Sequence, residues 1–528
     1  MAEGAAGARR AWTARALALL AGGAAAFAQP PWGFLPGLLG YGLMLWLLDR
    51  ANCCRPLRSV FLTGWLTGLG YFVVSVWWIA EPFQIDAAEQ GWMAPFAVIG
   101  VSMFMALFWG AAAVAYRALA GRGVARVLLF AAALALFEWL RGHILTGFPW
   151  DLPGETWAAG SAPSQTAALV GVYGLTWITL AAFSAPAVLV EGVPGRAAAL
   201  LGVLAVAGLY GFGAARLAGA PRNAPGGPWV RVVQADVKQE NKYDHRLFAD
   251  IVGRYTRLTS APGARVPDIV VWPEGAIPAA LNEYLAPGAW TALAIAGVMA
   301  PSQTLILGGY RYGDDPSGRP VIFNSLAVAR RTADGLAVTG IYDKYRLVPF
   351  GEFMPLDGLA ARLGIKQLVH VGDGFAPGPP PAPLRLAGLP PVQPLICYEA
   401  LYSGFTRDGA RRAGLRAAWI VNISNDAWFG TASGPVQHLN MASYRAIEEG
   451  LPMVRATPTG ISAFIDAFGA IAPGHRLGEG AFGVIDAPLP PALAPTPFNR
   501  FGDAAFWLML ILSLVGARWR WRAKKVDG

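Results

Sequence analysis

The sequence predicts an α-helical membrane bundle of about eight transmembrane helices joined to an α/β domain. Three observations support this prediction. Of the 528 residues, 55% are hydrophobic and only 14% are charged, a composition typical of membrane proteins. Apolar stretches recur along the first 217 residues, and one more lies near the C-terminus. The long region between them instead contains short β-rich runs separated by segments that can be helical.

The predicted spans are eight apolar stretches. They lie at roughly 14–29, 33–48, 60–80, 91–116, 127–141, 165–190, 197–215 and 504–517. Several approach the ~20 residues that a helix needs to cross a hydrocarbon layer. The first stretch, with Arg9 and Arg10 before it and small residues at its end, also has the form of a cleavable signal peptide. Because further spans follow at once, the sequence favours a retained first helix.

Basic residues alternate with the spans in the way expected if the N-terminus is cytoplasmic. The inner loops and the tail contain Arg9, Arg10, Arg15, Arg50, Arg55, Arg58, Arg117, Arg122, Arg126, Arg196, Arg518, Arg520, Arg522, Lys524 and Lys525. In the short outer loops, Arg141 is the only basic residue. Since positive loops stay inside, the net charge of +9 is better explained by membrane orientation than by nucleic-acid binding. The predicted domains are a bundle of seven helices at 1–217, an extracytoplasmic catalytic domain at 218–500, and a C-terminal helix with a basic tail at 501–528.

The extracytoplasmic region has the pattern of a layered α/β domain. Its β-rich runs are Trp229–Val237, Asp268–Trp272, Thr304–Tyr312, Phe323–Ala329, Val392–Cys397, Ala418–Ser424 and Ser462–Ala467. Segments that can be helical, such as 245–260 and 433–450, lie between them, and this alternation is typical of layered α/β folds. The proline-rich stretch 377–394 is expected to be largely an irregular loop.

Cys397 is the candidate nucleophile, because an apolar run delivers it to the end of a probable strand. A nucleophile needs a rigid strand behind it and free backbone N–H groups at the turn, here that of Tyr398. The alternative for an isolated cysteine is a small buried hydrophobe. The other two cysteines, Cys53 and Cys54, are adjacent and far from Cys397 in sequence. They cannot easily bridge each other, so no disulfide framework is expected and ordinary loop residues are the favoured interpretation.

Three further residues have the chemistry to assist a thiol. Glu274 follows the strand at 269–272, and a carboxylate beside a thiol can take its proton. Lys344 can stabilise the oxyanion of a tetrahedral intermediate, because a fixed cation lowers the energy of developing negative charge. Glu352 can orient Lys344 or Cys397. Each of these residues, taken alone, is also an ordinary loop residue.

Metal, nucleotide and histidine-dependent chemistry find no support in the motifs. None of the five histidines lies in a motif suited to a Cys-His pair. The sequence contains no CxxC or HExxH spacing and no GxxxxGK[ST] loop. No cofactor and no metal are therefore expected, and a covalent mechanism that uses Glu and Lys in place of His remains.

The three motifs WPEGAIP around Glu274, YDKYRLVPFGEF around Lys344 and LICYEA around Cys397 resemble the Glu-Lys-Cys triad of the nitrilase (carbon-nitrogen hydrolase) superfamily. With its membrane spans, nearly the whole chain resembles the bacterial apolipoprotein N-acyltransferase family. The stretches EWLRG at 138–142, LTGFPW at 145–150 and NISNDAWFG at 422–430 add to this resemblance, as do Gly434-Pro435 and Gln437-His438.

The resemblance implies an αββα sandwich on the periplasmic side of a bacterial inner membrane, together with eight membrane helices. It implies transfer of an acyl chain from a phospholipid, through a cysteine thioester, to the α-amino group of a diacylglyceryl-cysteine at a lipoprotein N-terminus. In this scheme Glu274 is the general base, Lys344 stabilises the oxyanion and Cys397 is the nucleophile. Glu352, Tyr398 and Glu399 match further positions around the site, the last two for substrate binding. Tyr243 stands where the family commonly has a tryptophan for lipid access.

Two other functions remain open at this point. A membrane-tethered amidase that hydrolyses a small amide would use the same triad, although eight spans are excessive for a tether. A transporter or membrane scaffold would place ionisable residues deep inside its spans. Here Glu138 and Arg141 lie near a span end, where they could pair one turn apart.

The apolar segment 350–363 is a candidate membrane-facing lid.

Overall fold

The computed structural model describes residues 2–51, 56–119, 123–220, 227–242, 244–354 and 374–526. The candidate residues Cys53, Cys54, Arg55, Arg122 and Tyr243 lie outside these ranges. The chain forms two compact units. The first comprises Met1–Ala220, Ala432–Glu448 and Pro495–Gly528, and the second comprises Pro221–Thr431 and Glu449–Ala494. The domain ranges expected from the sequence stay a prediction, and they lack the insertion of 432–448 into the first unit.

The helices of the described residues are numbered here in chain order. They are α1 (Ala2–Ala26), α2 (Leu39–Asp49), α3 (Pro56–Ser75), α4 (Ala87–Gln90), α5 (Ala94–Leu119), α6 (Val124–His143), α7 (Ala167–Ser184), α8 (Val193–Ala218), α9 (Gln239–Lys242), α10 (Phe248–Thr259), α11 (Leu281–Tyr284), α12 (Trp290–Val298), α13 (Phe405–Ala413), α14 (Gly434–Glu449), α15 (Pro497–Phe501) and α16 (Ala504–Val526).

The strands are numbered in the same way. They are β1 (Trp229–Ala235), β2 (Ile269–Val271), β3 (Thr304–Asp314), β4 (Pro320–Thr332), β5 (Gly335–Asp343), β6 (Leu384–Leu386), β7 (Leu389–Ile396), β8 (Trp419–Ile423), β9 (Met453–Ala456), β10 (Ser462–Ile465), β11 (Arg476–Leu477) and β12 (Phe482–Pro488).

The first unit is helical and contains the apolar segments. Within the described ranges, four helical segments are long and apolar enough to cross a membrane, namely Leu57–Ser75, Ala87–Leu119, Pro163–Glu191 and Val193–Ala218. Leu35–Asp49 and Ala504–Ala517 are apolar but shorter. Four of the eight predicted spans are thus supported by length and composition, and the count of eight is not confirmed. Two predicted spans belong to neither group: the span at 14–29 lies mostly in α1, and the span at 127–141 lies in α6, which includes three charged residues, Arg126, Glu138 and Arg141.

The expected pair of Glu138 and Arg141 is present on α6 and fully buried. The Arg141 guanidinium contacts the Glu138 carboxylate, and the Trp109 indole donates a hydrogen bond of 2.6 Å to the same carboxylate. A buried charge is tolerated only when it is paired and hydrogen-bonded. The pair therefore satisfies itself inside the helical unit, as a structural ion pair does.

Helix α14 belongs to the first unit because its polar side chains bond to the segment that follows α6. The Asn440 amide donates to the carbonyl oxygen of Glu155 at 2.8 Å, and the Trp150 indole donates to Gln437 Oε1 at 3.0 Å. Arg445 lies 3.6 Å from the carboxylate of Glu155. The sequence predicted this helix but assigned it to the α/β domain, since helical periodicity does not show which neighbours satisfy a polar face.

The second unit contains two six-stranded sheets, which confirms the expected α/β layering. One has the order β12-β1-β2-β3-β4-β5, and the other has the order β11-β10-β9-β8-β7-β6. Strands β1, β2 and β3 are parallel, as are β7, β8 and β9. Apolar side chains of both sheets, such as Val232, Ile306, Val421 and Val454, form one core between them. A second core packs the other face of the first sheet against α10, α11 and α12.

The proline-rich stretch 377–394 is more regular than predicted. Strand β6 and most of β7 lie within it, and β7 pairs antiparallel with β6 and parallel with β8. Proline removes one backbone donor, so it weakens a strand without excluding it from a sheet where that donor is not needed. The expectation of a largely irregular loop was therefore wrong for residues 384–394.

Candidate active site

The predicted catalytic residues meet where strands of the two sheets end. Glu274 lies three residues after β2, Lys344 directly follows β5, and Cys397 directly follows β7. The Lys344 ammonium nitrogen lies 3.5 Å from Glu274 Oε1 and 2.8 Å from Glu352 Oε1. The Cys397 thiol is close enough to Glu274 and Lys344 for both charges to affect its pKa. The structure therefore brings these four side chains together from positions up to 123 residues apart.

Lys344 is held as a buried cation. Its side chain is 1% exposed, and its backbone N–H donates to the carbonyl oxygen of Asn324 at 2.8 Å. Burial alone would lower the pKa of Lys344, but the carboxylates of Glu352 and Glu274 together raise it above its ordinary value. The ammonium group therefore stays charged in the site, as oxyanion stabilisation requires.

Glu274 is fixed by donors to both carboxylate oxygens. The Asn324 amide donates to Oε1 at 2.6 Å, and the backbone N–H of Asn425 donates to Oε2 at 2.7 Å. Gly308 lies directly behind it, because a Cβ there would come within 2.6 Å of the Glu274 Cα. The carboxylate thus has a single arrangement, which preorganises it for proton transfer.

Asn324 is a site residue that the sequence analysis missed. Its amide nitrogen donates a second hydrogen bond, 2.7 Å long, to Glu352 Oε1. The two hydrogens of one amide therefore join the two carboxylates that flank Lys344. The available signal was a polar residue inside the apolar run of β4, but only the sheet pairing shows what it faces.

Cys397 adopts a backbone conformation that side chains rarely take. Its φ is +50°, in the left-handed region where a residue other than glycine is strained. A short 3-10 turn, Cys397–Leu401, begins at this residue. Tyr398, whose backbone N–H is the expected second oxyanion donor, lies in this turn, and its role stays a prediction.

The environment of the Cys397 thiol keeps it protonated at rest. Burial raises its pKa most, the charge of Glu274 also raises it and Lys344 opposes this rise, so that the pKa is about 12. Because the thiolate is the nucleophile, the cysteine needs a base at the moment of attack. Glu274 is the adjacent carboxylate able to serve.

Glu399 is buried and holds backbone groups around the Cys397 turn. Its Oε2 accepts from the N–H of Ile396 at 2.8 Å. Its Oε1 accepts from the Tyr342 hydroxyl and the Tyr345 N–H, each at 2.8 Å. Burial raises the pKa of Glu399 to about 7. These contacts show a structural role that the sequence did not indicate, and its predicted part in substrate binding stays a prediction.

The other predicted substrate contacts are described only in part. The Tyr398 ring is buried and packs edge-on against Tyr402, with 5.3 Å between ring centroids. Tyr243 lies outside the described residues. Of the candidate lid at 350–363, the structure describes residues 350–354, and the Phe350 side chain there is exposed.

Lys242 is a second buried lysine that sequence analysis overlooked. It ends α9, and its ammonium nitrogen would lie 2.5 Å from a Cβ at Gly275. Burial lowers the pKa of Lys242 to about 8, while the negative charge of Glu274 opposes this fall. The charge of Glu274 therefore affects the pKa of two lysines, Lys242 and Lys344.

Taken together, the site contains a thiol, a fixed carboxylate and a fixed cation. These are the parts needed to form and resolve a covalent thioester without a histidine. The roles of Glu274, Lys344, Cys397 and Glu352 remain predictions that this geometry supports.

Two family models match the chain. That of the apolipoprotein N-acyltransferase N-terminal domain matches residues 21–185, and that of carbon-nitrogen hydrolase matches residues 230–495. The second range contains all the site residues described above, and the first contains part of the helical unit.

Proteins named apolipoprotein N-acyltransferase are similar over almost the full length. The one from Caulobacter vibrioides is 56% identical over 513 residues, covering 97% of this chain and 96% of that protein. The one from Bradyrhizobium diazoefficiens is 37% identical over 534 residues, covering 97% and 96%. Among solved structures, the match to a mutant amidase of the nitrilase superfamily from Nesterenkonia AN1 covers 50% of this chain and 92% of the amidase chain. Its TM-score of 0.34 and identity of 16% are too low to support an argument.

Proposed function

The chain belongs to the apolipoprotein N-acyltransferase family, and we propose that it transfers an acyl chain from a phospholipid to the free α-amino group of a diacylglyceryl-cysteine at a lipoprotein N-terminus. The observation that most directly supports a covalent route is the position of Cys397. Cys397 directly follows a buried strand, and its backbone has the left-handed conformation. Its thiol lies near the fixed carboxylate of Glu274 and the buried cation of Lys344.

In the first half-reaction, Glu274 takes the thiol proton and the sulfur attacks an ester carbonyl of the phospholipid. The negative charge that develops on the carbonyl oxygen is stabilised by the Lys344 ammonium group and the N–H of Tyr398. When the intermediate collapses, the C–O bond of the ester breaks and Glu274 returns the proton to the departing lysophospholipid oxygen. The acyl chain is then held as a thioester on Cys397.

In the second half-reaction, the amine of the acceptor replaces the lysophospholipid. Its nitrogen attacks the thioester carbonyl, Glu274 accepts the amine proton, and the C–S bond breaks. The thiolate recovers the proton and an amide is released. Because one site processes the two substrates in turn, the kinetics should be ping-pong, and no step requires a cofactor.

The membrane location is part of the proposal. Both substrates are lipid-anchored, which gives a reason for the apolar helices of the first unit. The distribution of arginine and lysine among the loops supports a cytoplasmic N-terminus. On this orientation, the catalytic domain lies on the periplasmic side of a bacterial inner membrane, with the phospholipid bilayer and the immature lipoprotein as its partners.

Intact-mass spectrometry of the purified full-length protein tests the covalent step. After incubation with phospholipid, the wild type should gain the mass of one acyl chain. Hydroxylamine should remove the adduct, and a diacylglyceryl lipopeptide should clear it by forming an amide. The double variant Cys53→Ser/Cys54→Ser is the matched control and should still be acylated, since it keeps Cys397.

The variant Cys397→Ser locates the chemistry. It should gain no adduct or only a hydroxylamine-resistant ester, because an oxygen ester is less reactive than a thioester. An unmodified wild type with every phospholipid tried would contradict the proposal. Release of free fatty acid or ammonia without amide formation would instead support the membrane-tethered amidase, which the full-length similarity to named acyltransferases does not favour.

A further inference from the structure

Ser424 lies beside the nucleophile on the neighbouring strand. Strands β7 and β8 are parallel, with Ile396 paired to Ile423, so the residues that follow them, Cys397 and Ser424, are adjacent at the same sheet end. Ser424 is completely buried, and its backbone N–H donates to the carbonyl oxygen of Ala456 at 2.9 Å. Its hydroxyl is hydrogen-bonded to the Cys397 thiol.

A buried ion pair supports Ser424 from the other side. The Ser424 hydroxyl donates to Asp426 Oδ1 at 2.7 Å, and Arg455 Nη2 donates to Asp426 Oδ2 at 2.7 Å. Arg455 also bonds to the side-chain oxygen of Asn422. Ser424, Asp426 and Arg455 are all fully buried. A buried ion pair often costs stability relative to apolar residues. Stability therefore does not by itself explain this pair, whereas a role in holding the serine does.

The serine hydroxyl has one proton and two neighbours that can accept it. A hydroxyl donates one hydrogen bond and accepts others. While Cys397 is a thiol, the proton points to Asp426 and the oxygen faces the sulfur. Once the thiol proton has moved to Glu274, the sulfur is an anion and becomes the stronger acceptor. Asp426 can release the proton because Arg455 still compensates its charge.

We propose that Ser424 is a further catalytic residue, whose hydroxyl turns from Asp426 to the Cys397 sulfur as the thiolate forms, with Asp426 and Arg455 as positioning residues. The inference rests on the proposed function in that Cys397 is the nucleophile. No covalent bond to Ser424 forms or breaks: the thiol proton goes to Glu274, and the hydroxyl proton stays on its oxygen. After acylation the sulfur loses its charge, and the hydroxyl returns to Asp426.

The charges around Cys397 give the proposal a distinctive signature. Glu274 after β2, Asp426 after β8 and Glu399 in the Cys397 turn are negative when ionised, whereas Lys344 after β5 is positive. Asp426 opposes thiolate formation and Ser424 favours it. Removing the hydroxyl and removing the Asp426 charge should therefore change thiolate reactivity in opposite directions, although both changes disturb the same hydrogen bond.

The test is the rate of Cys397 alkylation by iodoacetamide between pH 7 and 9, with the full-length protein in detergent. Cys53 and Cys54 are replaced by serine in every variant so that only one thiol reacts. Ser424→Ala should react roughly 10-fold more slowly, as expected for the loss of a hydrogen bond to a charged group. Ser424→Thr should restore the rate, since it keeps the hydroxyl. Asp426→Asn should react faster than the parent.

Two controls separate this effect from damage to the fold. Ser462→Ala removes another fully buried serine hydroxyl, one that accepts from the N–H of Thr457 at 3.0 Å, and its alkylation rate should be unchanged. If Asp426→Asn does not fold, Asp426→Asn/Arg455→Met removes the pair together and should still react faster. An unchanged rate in Ser424→Ala, or slower alkylation in the Asp426 variants, would overturn the proposal.

The same variants keep the inference distinguishable from the proposed function. Alkylation needs no phospholipid, so it reports on Ser424 even if the protein acylates nothing. Conversely, a wild type that forms the acyl adduct while Ser424→Ala forms it at the parent rate would leave the acyltransferase proposal intact and contradict the role of Ser424. The expected decrease in the acylation rate of Ser424→Ala is roughly 10- to 100-fold.

Discussion

Gly308→Ala should slow acyl transfer strongly by displacing Glu274 while leaving the fold intact. Gly308 lies on β3, and a Cβ built there would meet the Glu274 Cα at 2.6 Å and the Pro273 carbonyl oxygen at 3.0 Å. Contacts between carbon atoms are most favourable at about 3.5–4.0 Å. The third obstructing atom, Ile423 Cδ1 at 2.6 Å, is the end of a flexible side chain and can move away. Because the other two atoms belong to the backbone, the segment that positions Glu274 has to move by about 1 Å.

The expected loss follows from this displacement. A misplacement of about 1 Å at a reacting group costs on the order of 100-fold in rate, so acyl transfer by Gly308→Ala should fall by about that factor. Overpacking of a buried site costs about 1–3 kcal/mol of stability. The variant should therefore still purify as a folded protein, with a modestly lower thermal unfolding midpoint.

The neighbouring glycine provides a matched control. Gly309 is also buried on β3, but a Cβ there would point to the opposite face of the sheet from a Cβ at Gly308. It would meet the Leu281 side chain at 3.2 Å. The end of a flexible side chain can move by a few tenths of an ångström, so Gly309→Ala should keep most of the activity. The assay is the initial rate of transfer from phospholipid to a diacylglyceryl lipopeptide, with the unfolding midpoint measured in parallel. The reasoning is refuted if Gly308→Ala stays within twofold of the wild type, or if both variants lose activity equally.

Three further substitutions test other contacts. Glu352→Gln removes the charge of a half-buried partner of Lys344, 2.8 Å away, and should lower acyl transfer at least 10-fold. An unchanged rate in the transfer assay would exclude Glu352 from orienting the cation. Glu399→Gln replaces a carboxylate that accepts several backbone donors by a group that places an amide against one of them. The lost charged hydrogen bond and the unsatisfied donor should cost about 2–5 kcal/mol, and an unfolding midpoint within a degree of the wild type would contradict this. Arg141→Met leaves the Glu138 carboxylate buried without its partner and should destabilise the protein by about 3–5 kcal/mol. Adding Glu138→Gln should recover most of the midpoint, and failure of that recovery would show that the pair is not what stabilises α6.

The local sequence was enough to predict which residues meet at the candidate active site. Glu274 and Cys397 each follow an apolar run that becomes a largely buried strand, whereas Lys344 follows β5, of which only the last two residues are buried. An apolar run and its termination are properties of a few consecutive residues, so they are visible without a fold. The alternation of β-rich and helical segments likewise predicted the α/β class. The period of apolar residues in each segment depends on which faces of the strand or helix are buried, so it is visible in the sequence.

The tertiary structure decided which polar groups support those residues. Asn324 joins the two carboxylates around Lys344, Ser424 reaches the nucleophile, and Gly308 leaves room for Glu274; each contact crosses between strands distant in sequence. Hydrogen bonds and close approaches depend on register and strand order, which hydrophobic periodicity does not encode. The same reason explains why α14 was predicted as a helix but not as part of the helical unit. Its polar face has meaning only beside the side chains that satisfy it.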